Sequence, residues 1–477
     1  MRRAKIVATL GPALDDRDIL HAAIDAGIDV VRLNFSHGDH EEHARRLQTV
    51  REVAAQRCRN VGTIADLQGP KIRLGTCPPQ GVLVPTGTEV FLVPGSEYLD
   101  AYSSNGAVAL PVTYPHLASD VTPGALVLID DGSIRLVCSR VEPEGVWAQV
   151  VAGGVARSHK GVNLPGVGVS APSLTSKDFA DMSFAVSLGI DWVALSFVRT
   201  PADVRDARAY VQAAAGECQI IAKLERPESI DNLAGIVTAS DAVMIARGDL
   251  GVEIGPERVP ALQKQIIAEA SAEARPVITA TEMLQSMIDS PRATRAEASD
   301  VANAVFDGTD ALMLSGETAV GRYPVEAVRM MARIIEVAEA SPQLVHPPPP
   351  PHEAGISRVV ARAACAVACD VRAAAIVVFT ISGSSVQLMS KNRPPMPLLG
   401  ITPREETRRR TALMWGTESV LLPMKGRATE LLTAAERALV DGAWAATGDR
   451  VVIVTGAPGL EGTNRVMVHR IGDPITS

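Results

Sequence analysis

Eight short apolar runs, most of them followed by a segment of helical spacing, constrain the fold of this chain more than any other feature. They are KIVATL (5–10), DVVRLNF (29–35), NVGTIADL (60–67), DWVALSF (191–197), QIIAKLE (219–225), AVMIAR (242–247), PVITAT (276–281) and DALMLS (310–315). Each carries polar or charged residues at or near its end. Between them, ADVRDARAYVQAAAG and VPALQKQIIAEASAEA carry Ala, Leu, Ile and Val at helical spacing. Apolar strands alternating with helices form a parallel sheet buried on both faces. Eight such units predict an α/β fold, a closed (β/α)8 TIM barrel. An open doubly wound sheet is the alternative.

The alternation fails once, between the third and fourth runs. GTEVFLVPG, GALVLIDDGSIRLVC and GVWAQVVAGG read there as short strands bounded by Gly, Pro and Asp. Asp131-Gly132 is a hairpin signal. The reading is a small β-barrel lid domain at 70–170, inserted into a barrel made of 1–69 and 171–341. It leaves after the C-terminal end of a strand, so it should hang over the face where barrel active sites lie. His346 and Pro347 to Pro351 form a stiff linker. Beyond it, 352–477 reads as a third, α/β domain with strands AAAIVVFT, PLLGIT, SVLLP and DRVVIVTG.

The 477 residues are too many for one core, in line with several domains. A net charge of −8 argues against a nucleic-acid binder held by general electrostatics. Aromatics at 3% are too few for base-stacking platforms. None of the six cysteines has CxxC spacing; Cys365 and Cys369 read as two small buried side chains. Met1, Arg2 and Arg3 lead directly into a strand-like run, so no signal peptide is expected. No apolar stretch of about 18 residues predicts a membrane span. A cytoplasmic protein is expected. Arg408 to Arg410 reads as a solvated helix face, and Met283 with Met287 as packing. Gly166 and Gly168 read as a turn in the lid's return, not a dinucleotide fingerprint.

Strand parity gathers the candidate chemistry. Residues i, i+2 and i+4 of a strand share a face. That groups Arg32, Asn34 and Ser36 at the end of strand two, and Lys223 with Glu225 at the end of strand five. Asp66 ends strand three, Asp249 follows strand six and Thr281 ends strand seven. All sit at C-terminal strand ends. Two carboxylates from different strands, Glu225 and Asp249, suit a hard divalent cation such as Mg²⁺. Arg32 and Lys223 supply positive charge for a phosphoryl group. No Cys-His or Ser-His pair is placed for acyl chemistry, and no GxxxxGK[ST] occurs. The set fits phosphoryl transfer, where positioning and charge stabilisation do most of the catalysis.

KIVATLGPA, VVRLNFSHG, ADLQGPKIRLG, HKGVNLPG, IAKLERPE, MIARGDLGVE, ITATEMLQSM, RATRAEASDVANAVFDGTDALMLSGETAVGRYP and FTISGSS resemble, in order, the pyruvate kinase family. The resemblance implies a barrel, an inserted β lid and a C-terminal regulatory domain. It implies transfer of phosphoryl from phosphoenolpyruvate to ADP, giving pyruvate and ATP, with Mg²⁺ or Mn²⁺. By the same resemblance, Lys223 stabilises the transferring phosphoryl group and the developing enolate, and Arg32 grips phosphoryl oxygens. Glu225 and Asp249 match the metal ligands. Backbone N–H groups of Gly248 and Asp249 receive the substrate carboxylate, with Thr281 nearby and implicated in protonating the enolate. Arg73 and Lys160 match nucleotide-phosphate contacts at the lid hinges, and Asn34, Ser36 and His37 lie in a segment that contacts the nucleotide.

Two further expectations come with the resemblance. Asn34, Ser36, Asp66 and Leu67 match the family's K⁺ positions. Many members that need K⁺ carry an acidic residue where this chain has Lys71, with Thr-Lys at Leu67-Gln68. The Lys71 ammonium is expected to replace the charge of the monovalent ion, so K⁺ should not be strictly required. Thr380, Ser382, Gly383, Ser384 and Ser385 resemble the loop that takes the phosphate of an allosteric effector, a sugar phosphate or AMP. TGAPGLEGTN (455–464) is expected to close over it. A homotetramer is also expected.

Overall fold

A computed structural model of the chain describes residues 2–99, 103–104, 107–341, 355–424, 428–456 and 462–474. The proline run at 347–351 and residues 457–461 of the expected closing loop lie outside them.

All eight apolar runs are strands of one closed barrel. In chain order they are Lys5–Thr9, Val30–Asn34, Gly62–Asp66, Trp192–Leu195, Gln219–Leu224, Ala242–Ala246, Val277–Ala280 and Ala311–Leu314, here called strands one to eight. Each pairs in parallel with its sequence neighbours, and Lys5 opposite Ala311 closes the ring.

Parity along the strands separates two cores. Val7, Val30, Ile64, Ile221 and Met244 fill the barrel interior. Their neighbours Ile6, Val31, Ala65, Ile220 and Ile245 face outward and pack with the surrounding helices. Val30, Arg32 and Asn34 therefore form one inward row, as do Ile221 and Lys223, and Ile64 and Asp66. Apolar members fill the lower layers; polar ones emerge at the mouth.

The floor repeats one device. Asp29, Asp191, Asp241 and Asp310 each stand one residue before an even-numbered strand. Each carboxylate accepts a backbone N–H from the preceding odd-numbered strand: Ile6 at 2.7 Å, Thr63 at 3.0 Å, Ile220 at 2.8 Å and Val277 at 2.8 Å. Each also pairs with a cation, Arg2, Arg409, Arg208 and Lys391 respectively.

Between strands three and four lies a seven-stranded sheet that includes Glu89–Pro94, Leu126–Ile129, Ile134–Glu142 and Gly145–Ala152. Single bridges from Arg73 to Gly161 and from Leu74 to Val112 stitch its two sides together, giving the lid a barrel-like wrap. The expected hairpin joins Leu126–Ile129 to Ile134–Glu142. Asp130, Asp131 and Gly132 there take φ of 55°, 53° and 85°, a run that Asp and Gly tolerate better than branched residues.

The C-terminal domain is a five-stranded sheet. Four strands, Ala375–Phe379, Leu398–Thr402, Thr417–Leu421 and Arg450–Thr455, are parallel and match the expected ones. The fifth, Arg465–Arg470, is an antiparallel edge that the sequence reading missed, because basic residues interrupt its short apolar run. Two other readings need correction. Cys369 is exposed, so only Cys365 of that pair is buried. Arg408 to Arg410 is not a solvated face. Arg409 Nε meets the buried Asp191 at 2.9 Å, and Arg410 is buried with Nη2 on Glu217 O at 2.6 Å. Guanidinium groups at a domain junction find carboxylates and carbonyls there. Just after them, Ala412 and Leu413 complete the interior core from below. Met283 and Met287 are buried, as expected of packing residues.

Candidate active site

Arg32 and Lys223 meet over one carboxylate. Asp66 Oδ2 accepts from Arg32 Nε at 2.6 Å, and Asp66 Oδ1 lies 3.1 Å from Lys223 Nζ. Arg32 Nη1 also donates to Thr9 Oγ1 at 3.1 Å. Lys223 Nζ donates to Ser196 Oγ at 2.6 Å and lies 2.9 Å from Glu225 Oε1. Glu225 is fully buried, and its other oxygen accepts the Phe197 N–H at 2.7 Å. Strands one, two, three, four and five thus each bring a polar side chain to one spot.

The charges support each other. Burial alone would raise the Asp66 pKa, but Arg32 and Lys223 hold it below the usual carboxylate range. Burial alone would lower Lys223, but Asp66 and Glu225 more than reverse that, and the ammonium stays charged. Glu225 differs: burial pushes it up against the pull of Lys223, and the negative charge of Asp249 pushes the same way. Two carboxylates that repel each other, one of them dry, are what a small divalent cation relieves. Among the described residues no group of three or more His, Cys, Asp or Glu side chains could hold a metal. A two-carboxylate pair still fits Mg²⁺, which keeps places for water and substrate oxygens.

Asp249 sits in the first turn of helix Arg247–Ile254, directly after strand six. Gly248 N–H, expected to receive a carboxylate, instead donates to Thr281 Oγ1 at 2.8 Å. Thr281 is itself held at φ 65°, and its hydroxyl donates to Ala280 O. Arg247, which the sequence reading did not single out, organises this corner. Its Nη groups reach Asp300 Oδ1 and Oδ2, both at 2.7 Å, and Thr281 O at 2.9 Å.

The remaining expected residues are more scattered. Asn34 Oδ1 accepts the Ser36 N–H at 3.2 Å, shaping the loop after strand two. His37 lies where burial, Arg73, Arg32 and Lys71 all push its pKa down, so that loop reaches the positive mouth. Lys71 Nζ is 3.8 Å from Asp249 Oδ1. Arg73 donates to His159 O at 3.0 Å, and Lys160 pairs with Asp130 at 2.8 Å within the lid. Leu67 O accepts from Ser196 Oγ at 2.7 Å. Two arginines fix the lid's return: Arg199 on Ala171 O at 2.7 Å and Arg226 on Val167 O at 3.0 Å. A cavity of about 40 Å³ at this hinge is lined by Lys71, Asn163, Phe197, Arg199, Arg226 and Glu253, among others.

Comparison with known proteins decides what this site belongs to. The family model for the pyruvate kinase barrel domain matches residues 1–328, and that for the pyruvate kinase alpha/beta domain matches 358–469. The chain belongs to the pyruvate kinase family. It is 46% identical to a pyruvate kinase of Mycobacterium tuberculosis, over 99% of both chains. It is 44% identical to that of Corynebacterium glutamicum, over 99% of this chain and 98% of the relative. The crystal structure of a pyruvate kinase from Cryptosporidium parvum superposes with a TM-score of 0.89 at 33% identity, covering 98% of this chain and 96% of that one. The family is one of kinases.

In the C-terminal domain of this pyruvate kinase family member, Gly383 precedes helix Ser384–Lys391 with φ 92°, a conformation suited to glycine. Its N–H donates to Thr380 Oγ1 at 2.9 Å. Ser382 and Ser384 hydroxyls are 3.1 Å apart, and Ser385 Oγ accepts from Thr463 at 2.6 Å. The five residues therefore do form one hydroxyl-rich turn. No described helix is long and apolar enough to cross a membrane.

Proposed function

We propose that this protein transfers the phosphoryl group of phosphoenolpyruvate to ADP, producing pyruvate and ATP. The observation that carries the reading is the meeting of Arg32 and Lys223 over Asp66, with Glu225 against Lys223. A permanent guanidinium and an ammonium kept charged by two carboxylates suit a phosphoryl group that spreads negative charge as it moves. Arg32 would grip its oxygens. Lys223 would stabilise first the phosphoryl group and then the enolate oxygen left behind. Glu225 and Asp249 would hold Mg²⁺ or Mn²⁺, which when bound supplies further positive charge to the substrate oxygens.

Thr281, held by Arg247 through its carbonyl, would pass a proton to the enolate carbon, directly or through water, once its hydroxyl turns from Ala280 O. With Gly248 N–H engaged by Thr281, the Asp249 N–H is the member of that pair left to meet the substrate carboxylate. Asn34, Ser36, His37, Arg73 and Lys160 would contact the nucleotide. Arg73 and Lys160 spend donors on lid oxygens in this structure, so the nucleotide would compete for them as the lid closes. Closure would also exclude water, which competes as acceptor.

Lys71 lies on the lid side of the mouth, with Nζ facing Asp249. Its charge supports activity without K⁺ at the Asn34, Ser36, Asp66 and Leu67 positions. The Thr380–Ser385 turn would take the phosphate of a sugar phosphate or AMP, and the protein would assemble as a homotetramer.

One assay tests the central reading: pyruvate formation from phosphoenolpyruvate and ADP with Mg²⁺ and no KCl. Robust turnover is expected, abolished by EDTA and stimulated less than about tenfold by KCl at constant ionic strength. Absence of pyruvate under all these conditions overturns the reading. Added sugar phosphates or AMP should lower the phosphoenolpyruvate concentration needed.

A further inference from the structure

The helix Ser176–Ser187 starts where the lid segment has just rejoined the barrel. Its first two turns grip two loops of the mouth at once. Thr175 and Asp178 form its capping box. The same Asp178 also accepts the Gly69 N–H at 3.0 Å, in the loop where the chain departs for the lid. Lys177 Nζ donates to Phe35 O at 2.7 Å and to Asp181 Oδ2 at 2.6 Å. Asp181 Oδ1 meets His40 Nε2 at 2.8 Å. Phe35 and His40 bracket Ser36 and His37, so both ends of that loop are tied to one buried carboxylate.

Aromatic contacts add to the grip. The His40 ring stacks on Phe184 of the same helix, with centroids 4.0 Å apart and planes 4° apart. Phe35 packs edge-on against His43 at 4.6 Å, and His43 Nε2 meets His37 O at 3.0 Å. Past Phe35, whose N–H still pairs with Asp66 O, a backbone turn from His37 N–H to Asn34 O at 3.1 Å and these side chains hold the loop. A buried carboxylate is an expensive anchor unless its direction matters, since an apolar contact would hold the helix as well.

We propose that Lys177 and Asp181 are positioning residues for the nucleotide, acting through Phe35 and His40 to set Ser36 and His37. The proposal rests on the reading of that loop as a nucleotide contact. Because Asp178 of the same helix holds Gly69, the nucleotide loop and the lid hinge share one rigid support. Removing Lys177 frees the Phe35 carbonyl and leaves Asp181 with His40 alone. Nucleotide affinity should then fall, while the phosphoenolpyruvate site around Arg32 and Lys223 stays intact.

The test is steady-state kinetics on the full-length protein with Mg²⁺, varying ADP and phosphoenolpyruvate separately, for wild type, Lys177→Met, Lys177→Arg and Asp181→Asn. Lys177→Met should raise KM for ADP about tenfold and change KM for phosphoenolpyruvate less than about twofold. Lys177→Arg, which can still donate to both oxygens, should recover most of the loss. Asp181→Asn should shift KM for ADP in the same direction. Wild type that forms no pyruvate from ADP defeats the underlying functional reading. Active wild type with KM for ADP unmoved in Lys177→Met, or with both KM values raised alike, overturns the positioning role. If Asp181→Asn fails to fold, the half-exposed Lys177 carries the decision.

Discussion

At the floor of the barrel, Asp29, Asp191, Asp241 and Asp310 each hold a backbone N–H of the neighbouring strand and a cation. At the mouth, Asp66 and Glu225 hold Lys223, and Asp66 also holds Arg32, with the hydroxyls of Ser196 and Thr9 completing the cluster. Both ends bury carboxylates beside ammonium and guanidinium groups. The difference is in what the cations do next. On the floor, Lys391, Arg393 and Arg409 come from the C-terminal domain, so the Asp191 and Asp310 pairs join two domains, while Arg2 and Arg208 tie Asp29 and Asp241 within the barrel. At the mouth all partners belong to the barrel, and the charge is gathered beside Asp249 and the lid rather than spent on a second domain. Buried charge serves assembly at one end and a ligand at the other.

The sharpest way to break that contrast is to remove one cation at the mouth. Lys223→Met should lower kcat by about 10³-fold, or ~4 kcal/mol of transition-state stabilisation, and shift the melting temperature only modestly. Asp66 and Glu225 would lose their ammonium but can take up a proton. A variant that melted far below wild type while retaining near-normal kcat would show that Lys223 is a structural pair like those below.

The converse holds at the floor. Asp310→Asn leaves Lys391 and Arg393 buried without their counter-charge, and should cost about 3 kcal/mol of stability. Denaturant unfolding measures the loss. The kcat/KM per folded molecule should stay within about twofold. A selective loss of catalysis without loss of stability would mean that this junction signals to the mouth.

How far this division could be read beforehand depends on parity. Once strands two, three and five were recognised, the i, i+2 rule aligned Arg32 with Asn34 and set Lys223 on the inward row. Ser196 and Thr9 obey the same rule, following Ala194 and Val7 inward, yet a lone hydroxyl at each of these strand ends carries no chemical signal of its own. The Arg247–Asp300 grip had no local signal, since it joins the end of strand six to a helix some fifty residues on. The floor device was visible as ID, ID, SD and TD before alternate strands, but it has meaning only when strand neighbours are known. For the same reason Arg408 to Arg410 looked solvated: the carboxylate that buries Arg409 lies over two hundred residues away.

Acid should erode the floor in a definite direction. Asp29 is fully buried, which by itself would raise its pKa. Arg2, Lys5 and the Ile6 N–H overcome that and hold it below 3.8. A lowered folded-state pKa means that the unfolded chain takes up the proton first as pH falls. The stabilisation from Asp29 is therefore complete well above 3.8 and is lost as the pH drops through the folded-state value. Asp29→Asn should cost about 2 kcal/mol near neutral pH. Its deficit relative to wild type should shrink in urea titrations taken progressively below pH 3.8. A deficit that does not change with pH would mean that packing, not charge, holds this corner.

The smallest effect expected lies between the two ends. Helix Arg295–Phe306 is capped by Thr294, whose hydroxyl accepts the Glu297 N–H, and it carries the Asp300 that holds Arg247 at the mouth. Glu297 also takes the Ser286 N–H at 2.7 Å and the Ser286 hydroxyl at 2.6 Å, so the first turn keeps an anchor when the cap is removed. Thr294→Ala should therefore cost about 1 kcal/mol of stability, seen in thermal melting. It should change kcat by less than about threefold, because Asp300 lies more than a turn from the cap and keeps both bonds to Arg247. If kcat instead fell tenfold with the melting temperature unchanged, fraying at the cap would be reaching Thr281 through Arg247. The mouth would then depend on helix ends as closely as the floor depends on its carboxylates.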